Sequence, residues 1–177
     1  MNALHRAPTG DRRQLFPRVC SGEAFADRLA SECNWSTGVP DSTFRQVLPH
    51  LEPYRSAPRE NHAVAMAFGA RVGGLRPCVL LQNSGLGLCA DALIGLQQLY
   101  RVGTILVVSI RGELQWEEVQ HQAWGEITGR MLRLLGIECY DLGTLGLEAV
   151  SRAAISAFRR DQVAAVLVHR GNIDESD

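Results

Sequence analysis

Apolar and polar positions alternate along the chain in two rhythms. Residues 78–81, 104–110 and 163–169 are short, nearly unbroken apolar runs with Gly, Asp or Asn close by. Such runs are too short for buried helices and are rich in β-branched residues, so they predict strands covered on both faces. Between them the apolar residues follow a helical period. Ala24, Phe25, Leu29 and Ala30 follow a capping Ser21 and predict a helix to about residue 34. Leu147, Val150, Ala154, Ile155 and Phe158 mark another over 145–160, and further helices are predicted over about 85–100 and 127–135, the last stopped by Gly136. Weaker strands are expected up to Gly38, over 54–58 and over 137–142. A helix capped by Asp41 or Ser42 and carrying Phe44, Val47 and Leu48 should stop at Pro49. A small-residue helix starts near Glu60, and a polar loop over 111–126 is longer than most connections in a compact domain.

Strands alternating with helices predict an α/β fold: a doubly wound, mainly parallel sheet with helices on both faces. The domain spans 20–171, between a loose polar arm over 1–19 and a polar tail over 172–177. In such sheets ligands bind beyond the carboxyl ends of the strands. Asp41-Ser42, Asn83-Ser84-Gly85 and Arg111-Gly112-Glu113 all fall at that edge, and the Glu60 helix begins there. A purely structural chain has no need to gather four polar stretches on one rim.

Composition narrows the function. A net charge of −1 argues against nucleic acid or an acidic membrane surface as partner. No apolar run approaches the roughly 18 residues of a membrane span. The five cysteines form no Cys-x-x-Cys pair, which points away from zinc or a disulfide framework and towards the cytoplasm. All 18 basic residues are arginine. No complete Gly-x-Gly-x-x-Gly, Walker A or Gly-x-Ser-x-Gly motif is present, and the histidines show no metal spacing.

Each candidate residue has two readings. Glu60 either caps its helix or serves as a catalytic acid. Asp41 and Ser42 either cap a helix or face a substrate. Asn83, Ser84 and Gly85 form either a plain turn or a ligand cradle. Arg111 either makes a structural ion pair or meets an anion, which guanidinium suits. His121 is either a surface histidine or an acid/base.

Thr37-Gly38-Val39-Pro40-Asp41-Ser42, Glu60 with Ala63-Val64-Ala65, Gln82-Asn83-Ser84-Gly85-Leu86-Gly87, Arg111-Gly112-Glu113 and Gln120-His121 occur in this order. Together they resemble the pyrimidine-binding (Pyr) domain of thiamine-diphosphate-dependent 2-oxoacid decarboxylases, in the branch of sulfopyruvate and phosphonopyruvate decarboxylases. The likeness covers most of the chain from about residue 21. It implies that Glu60 hydrogen-bonds the cofactor's aminopyrimidine and so promotes proton removal from its reactive carbon, with His121 as a second catalytic group. It implies that Asn83, Ser84 and Gly85 approach the cofactor and that Asp41, Ser42 and Arg111 face a 3-substituted pyruvate. The family holds Mg²⁺ and the diphosphate through a Gly-Asp-Gly…Asn motif, which this chain lacks. The resemblance therefore implies no metal ligands here, a diphosphate-binding β subunit as partner, and an α₂β₂ or larger assembly. The alternatives for this chain are a related thiamine-diphosphate subunit that ligates the activated aldehyde to a second carbonyl, and a non-catalytic assembly partner. Asn61, His62, Arg59 and Leu88 depart from the family's usual residues beside Glu60 and the turn.

Overall fold

The computed structural model of the chain describes residues 16–174. Strands β1 (Trp35–Gly38), β2 (Tyr54–Ser56), β3 (Pro77–Gln82), β4 (Thr104–Ile110), β5 (Glu138–Asp141) and β6 (Val163–His169) form one sheet. Its order is β2-β1-β3-β4-β6-β5, and every neighbouring pair is parallel. The doubly wound α/β architecture expected from the pattern is the one observed. From β1 the chain passes to β2 on one side, then crosses to β3 on the other. The switch point of the sheet therefore lies between β1 and β3, where such folds bind ligands.

The helices are α1 (Gly22–Glu32), α2 (Glu60–Val72), α3 (Leu86–Ala92), α4 (Val119–Leu134), α5 (Leu142–Leu145) and α6 (Glu148–Arg159). Ser21 caps α1 by accepting from the Ala24 N–H. Alternate residues of the strands feed two cores. Leu80, Ile105, Val107, Val166 and Val168 pack with Phe25 and Leu29 of α1 and with Val150 of α6. Val79, Leu81, Leu106, Val108 and Ala165 pack with Val64 of α2, Leu86 of α3 and Leu132 of α4. All seven residues of β4 are buried. Burying a Val, Leu or Ile side chain contributes roughly 1.5–3 kcal/mol, so this central strand anchors both layers.

Local structure departs from the pattern in four places. After Asp41 the chain makes two 3₁₀ turns, Ser42–Phe44 and Leu48–His50, instead of one helix. Asp41 does cap, accepting from the Thr43 N–H at 2.8 Å, but Pro49 denies the second turn a donor. The stretch after α3 widens into a π-helical segment, Leu93–Gln98. The loop after β4 is short, because α4 starts at Val119, so Gln120 and His121 lie on a helix. Its first turns are mostly solvated and lack an apolar stripe, which hid them in the sequence. The last helical region is split into α5 and α6 at Gly146, whose φ is 58°.

Of the expected arm, residues 1–15 lie outside the described residues, as do 175–177 of the expected tail. Residues 16–19 are held: the Phe16 N–H donates to Arg170 O at 2.9 Å and the Val19 N–H to Asn172 O at 2.7 Å. No helix among the described residues is long and apolar enough to cross a membrane.

Candidate active site

The register aligns Gln82 of β3 with Ser109 of β4, and Ile110 of β4 with His169 of β6. Strand ends, and the polar turns that follow them, therefore arrive at one level. Glu60 opens α2 beside this rim, behind Arg59 in extended conformation with no side-chain cap. Glu60 is half-buried. Among the described residues none hydrogen-bonds or ion-pairs with its carboxylate. Its side chain lies against Gly85: a Cβ at that glycine would sit 2.3 Å from Glu60 Cγ and 2.6 Å from Oε1. Burial pushes the neighbouring Cys89 thiol up to about 12, and the Glu60 charge adds to the effect. A carboxylate packed on the backbone of Gly85, with no ion pair among the described residues, can share a proton with a ligand nitrogen.

Arg111, at the end of β4, reaches across the rim to the β1 turn. Its Nη2 donates to Asp41 Oδ1 at 3.0 Å, Asp41 Oδ2 at 3.2 Å and Ser42 Oγ at 2.8 Å. Its side chain is only 4% exposed. The structure thus unites the three residues expected to face substrate, but in the ion-pair form left open by the sequence. Arg111 is not presented to solvent as an anion receptor. Desolvation makes such a pair costly to break from one side, so it fixes the β1 and β4 turns to each other.

Asn83 is fully buried. Its amide nitrogen donates to Arg111 O at 2.9 Å and Thr128 Oγ1 at 3.0 Å, while its oxygen accepts from the Arg111 N–H at 3.3 Å. Its side chain is committed to joining β3, β4 and α4, so it shapes the turn and does not reach the rim. Ser84 is half-buried in that turn, and Gly85 is buried against Glu60. The Gln82 amide nitrogen donates to Ser84 Oγ at 2.7 Å and contacts His121 Nε2 at 3.3 Å. His121 is thereby brought beside the Ser84-Gly85 turn from the first turn of α4.

The loop after β4 wraps around a buried carboxylate. Glu117 Oε2 accepts from the N–H groups of Gly112, Glu113 and Leu114 at 2.8, 3.1 and 3.1 Å. Successive backbone N–H groups make such anion-binding concavities. The loop needs glycine at 112, where φ is 88° and a Cβ would lie 1.8 Å from His121 O. Glu117, Trp116, Arg170 and His169 were not candidates from sequence, and Gln82 entered only as the first residue of the Gln82–Gly87 motif. The available signal for Arg170 was the one used for Arg111: a polar residue just past a buried strand.

His169 sits between two carboxylates, with Nδ1 2.5 Å from Glu113 Oε2 and Nε2 2.5 Å from Asp141 Oδ2. Burial alone would lower its pKa, but the hydrogen bonds and charges of Glu113 and Asp141 prevail and hold it above the ordinary histidine value. A raised folded-state pKa contributes stability that is present below the unfolded value of about 6.5 and is lost as pH rises through the folded pKa. We expect denaturation midpoints of the wild-type chain to fall as pH rises above neutrality, and those of His169→Gln to fall less. Parallel curves for the two proteins would exclude this linkage.

No protein-family model matches the chain. It is 32% identical over 127 residues to the sulfopyruvate decarboxylase subunit alpha of Methanothermobacter thermautotrophicus, covering 68% of this chain and 76% of that one. It is 28% identical to the protein of the same name from Methanococcus maripaludis, covering 62% and 68%. It is also 36% identical over 107 residues to phosphonopyruvate decarboxylase of Streptomyces viridochromogenes, covering 57% of this chain but only 27% of that protein. Among solved structures, 2-oxoglutarate:ferredoxin oxidoreductase of Magnetococcus marinus superimposes with a TM-score of 0.65 at 14% identity over 86% of this chain. Benzoylformate decarboxylase of Polynucleobacter necessarius does so with 0.64 at 20% identity over 83%. This chain spans 29% of each of those two, and at such identities they establish the fold alone. The fold, the length covered and the identity to these relatives show that the chain belongs to the family of sulfopyruvate decarboxylase alpha subunits and the corresponding part of the phosphonopyruvate decarboxylases.

Proposed function

We propose that this chain is the α subunit of a heteromeric, thiamine-diphosphate-dependent decarboxylase that converts a 3-substituted pyruvate with an acidic head to CO₂ and an aldehyde. The observation that carries the reading is the Glu60 carboxylate, unpartnered among the described residues and laid against Gly85 at the switch-point rim. The residues fit the cofactor's aminopyrimidine. Glu60 lies against Gly85, where no side chain displaces it, and it offers a carboxyl oxygen with no ion pair among the described residues. When bound, thiamine diphosphate supplies the electron sink for loss of CO₂.

The chain's own residues hold and move protons. Glu60 shares a proton with a ring nitrogen of the pyrimidine. His121, positioned by Gln82, gives or takes a proton at the substrate side. Arg111 holds Asp41 and Ser42 at the rim, where the Asp41 carboxylate and Ser42 hydroxyl meet the substrate. Ser84 and Gly85 form the floor, and Asn83 keeps that floor attached to β4.

Among the described residues no group of three or more His, Cys, Asp or Glu can hold a metal ion. The reading therefore assigns Mg²⁺ and the diphosphate to a β subunit with Gly-Asp-Gly…Asn, in an α₂β₂ or larger complex. The relatives' designation as subunit alpha supports a partner chain. Free cysteines at 20, 33, 78, 89 and 139 suit a reducing cytoplasm.

A panel of 2-oxoacids tests the substrate class in the assembled complex. An acid-headed pyruvate is expected to exceed pyruvate in kcat/KM by at least about tenfold, or 1.4 kcal/mol. Preference for pyruvate or an aromatic oxoacid would overturn it.

A further inference from the structure

Resting on that reading, we infer that the acidic head of the substrate is held by Arg170 and Trp116, in the cleft between the β4 loop and the end of β6. The cleft holds about 440 Å³ and is lined by Trp116, Glu117, Glu118, His121 and Arg170. Arg170 follows β6 directly, and its guanidinium stacks on the Trp116 ring at 4.8 Å. The Trp116 indole N–H is buried and meets no acceptor, an uncommon state for a buried donor. It awaits an oxygen that the protein does not supply. Arg111, the other arginine of the rim, is turned to Asp41 and Ser42.

The position suits a substrate whose keto carbon reacts near Glu60. His121 touches Gln82 at the end of β3 and also lines the cleft, so it joins the two. Strands lie about 4.8 Å apart, so the end of β6 stands roughly 10 Å from that of β3. The Trp116 indole, the Arg170 guanidinium and the His121 imidazole all line this one cleft.

The surrounding carboxylates choose its charge. Glu117 is 3% exposed and its Oε1 has no hydrogen bond, with Arg170 Nη1 4.0 Å away. Glu118 adds a second, exposed carboxylate. A singly charged sulfonate meets less repulsion there than a doubly charged phosphonate.

The test titrates sulfoacetate and phosphonoacetate, which have no keto group, into the full ¹⁵N-labelled chain at pH 8 and constant ionic strength. The indole N–H resonance of Trp116, assigned with Trp116→Phe, is the readout. Sulfoacetate should shift it saturably, and Arg170→Gln should weaken binding at least about tenfold while leaving the remaining spectrum in place. An unmoved indole resonance, or unchanged affinity in Arg170→Gln, overturns the site. Equal or tighter binding of phosphonoacetate overturns the singly charged head. Neither measurement needs the companion subunit or cofactor, so failure here is separate from failure of the oxoacid panel.

Discussion

Glu60→Gln lowers turnover of the assembled complex by at least about a hundredfold, the scale of a lost general acid or base. The substitution keeps the size and the packing against Gly85 but removes the titrating proton. Glu60 makes no hydrogen bond or ion pair within the described chain, so the change leaves no protein group unpaired and the fold survives. Steady-state kinetics of the reconstituted complex, with a thermal melt beside it, decides the matter. Turnover near wild type would remove Glu60 from catalysis and favour a subunit that serves only in assembly. Gly85→Ala approaches the same group from the opposite side. Its new Cβ would stand 2.4 Å from Glu60 Cδ, so the carboxylate must move. Turnover should fall with the site residue itself unaltered.

The second large effect is the loss of nearly all activity in the isolated chain, which should bind thiamine diphosphate weakly. Much of that cofactor's affinity is expected from its diphosphate and Mg²⁺, which require oxygen ligands arranged around the metal. The described residues offer no such cluster. A hydrogen bond to Glu60 contributes about 1.5–3 kcal/mol at most, against roughly 8 kcal/mol for a micromolar complex. Calorimetry with cofactor and Mg²⁺ should show little heat on the chain alone and tight binding once the diphosphate-binding subunit is added. Tight binding and decarboxylation by this chain by itself would refute the divided site.

The clearest elements in the sequence are those whose cause is local. β4 and β6 match their apolar runs residue for residue, because strands buried on both faces carry nearly continuous apolar sequence. The start of α2 at Glu60 was visible for a similar reason: a first-turn carboxylate heads a run of small apolar residues. The α4 start was hidden because its first turns face solvent and carry no period. The single helix expected after Asp41 failed because proline chemistry in a short segment outweighed its apolar spacing.

By itself, the sequence determined the alternation of strands and helices and the gathering of polar turns at one sheet edge. Both follow from periodicity and turn chemistry within a few residues. Only the tertiary structure decided which side chains those turns expose. Arg111 turns inward to Asp41, 70 residues away, and Asn83 is consumed by Arg111 and Thr128. Glu117 fills the nest of the β4 loop, and His169 bridges Glu113 and Asp141. Apart from the Glu117 nest, which is local to its loop, these pairings depend on parallel register bringing distant strand ends to the same level, and the strength of a charge or hydrogen bond there depends on burial that distant segments create.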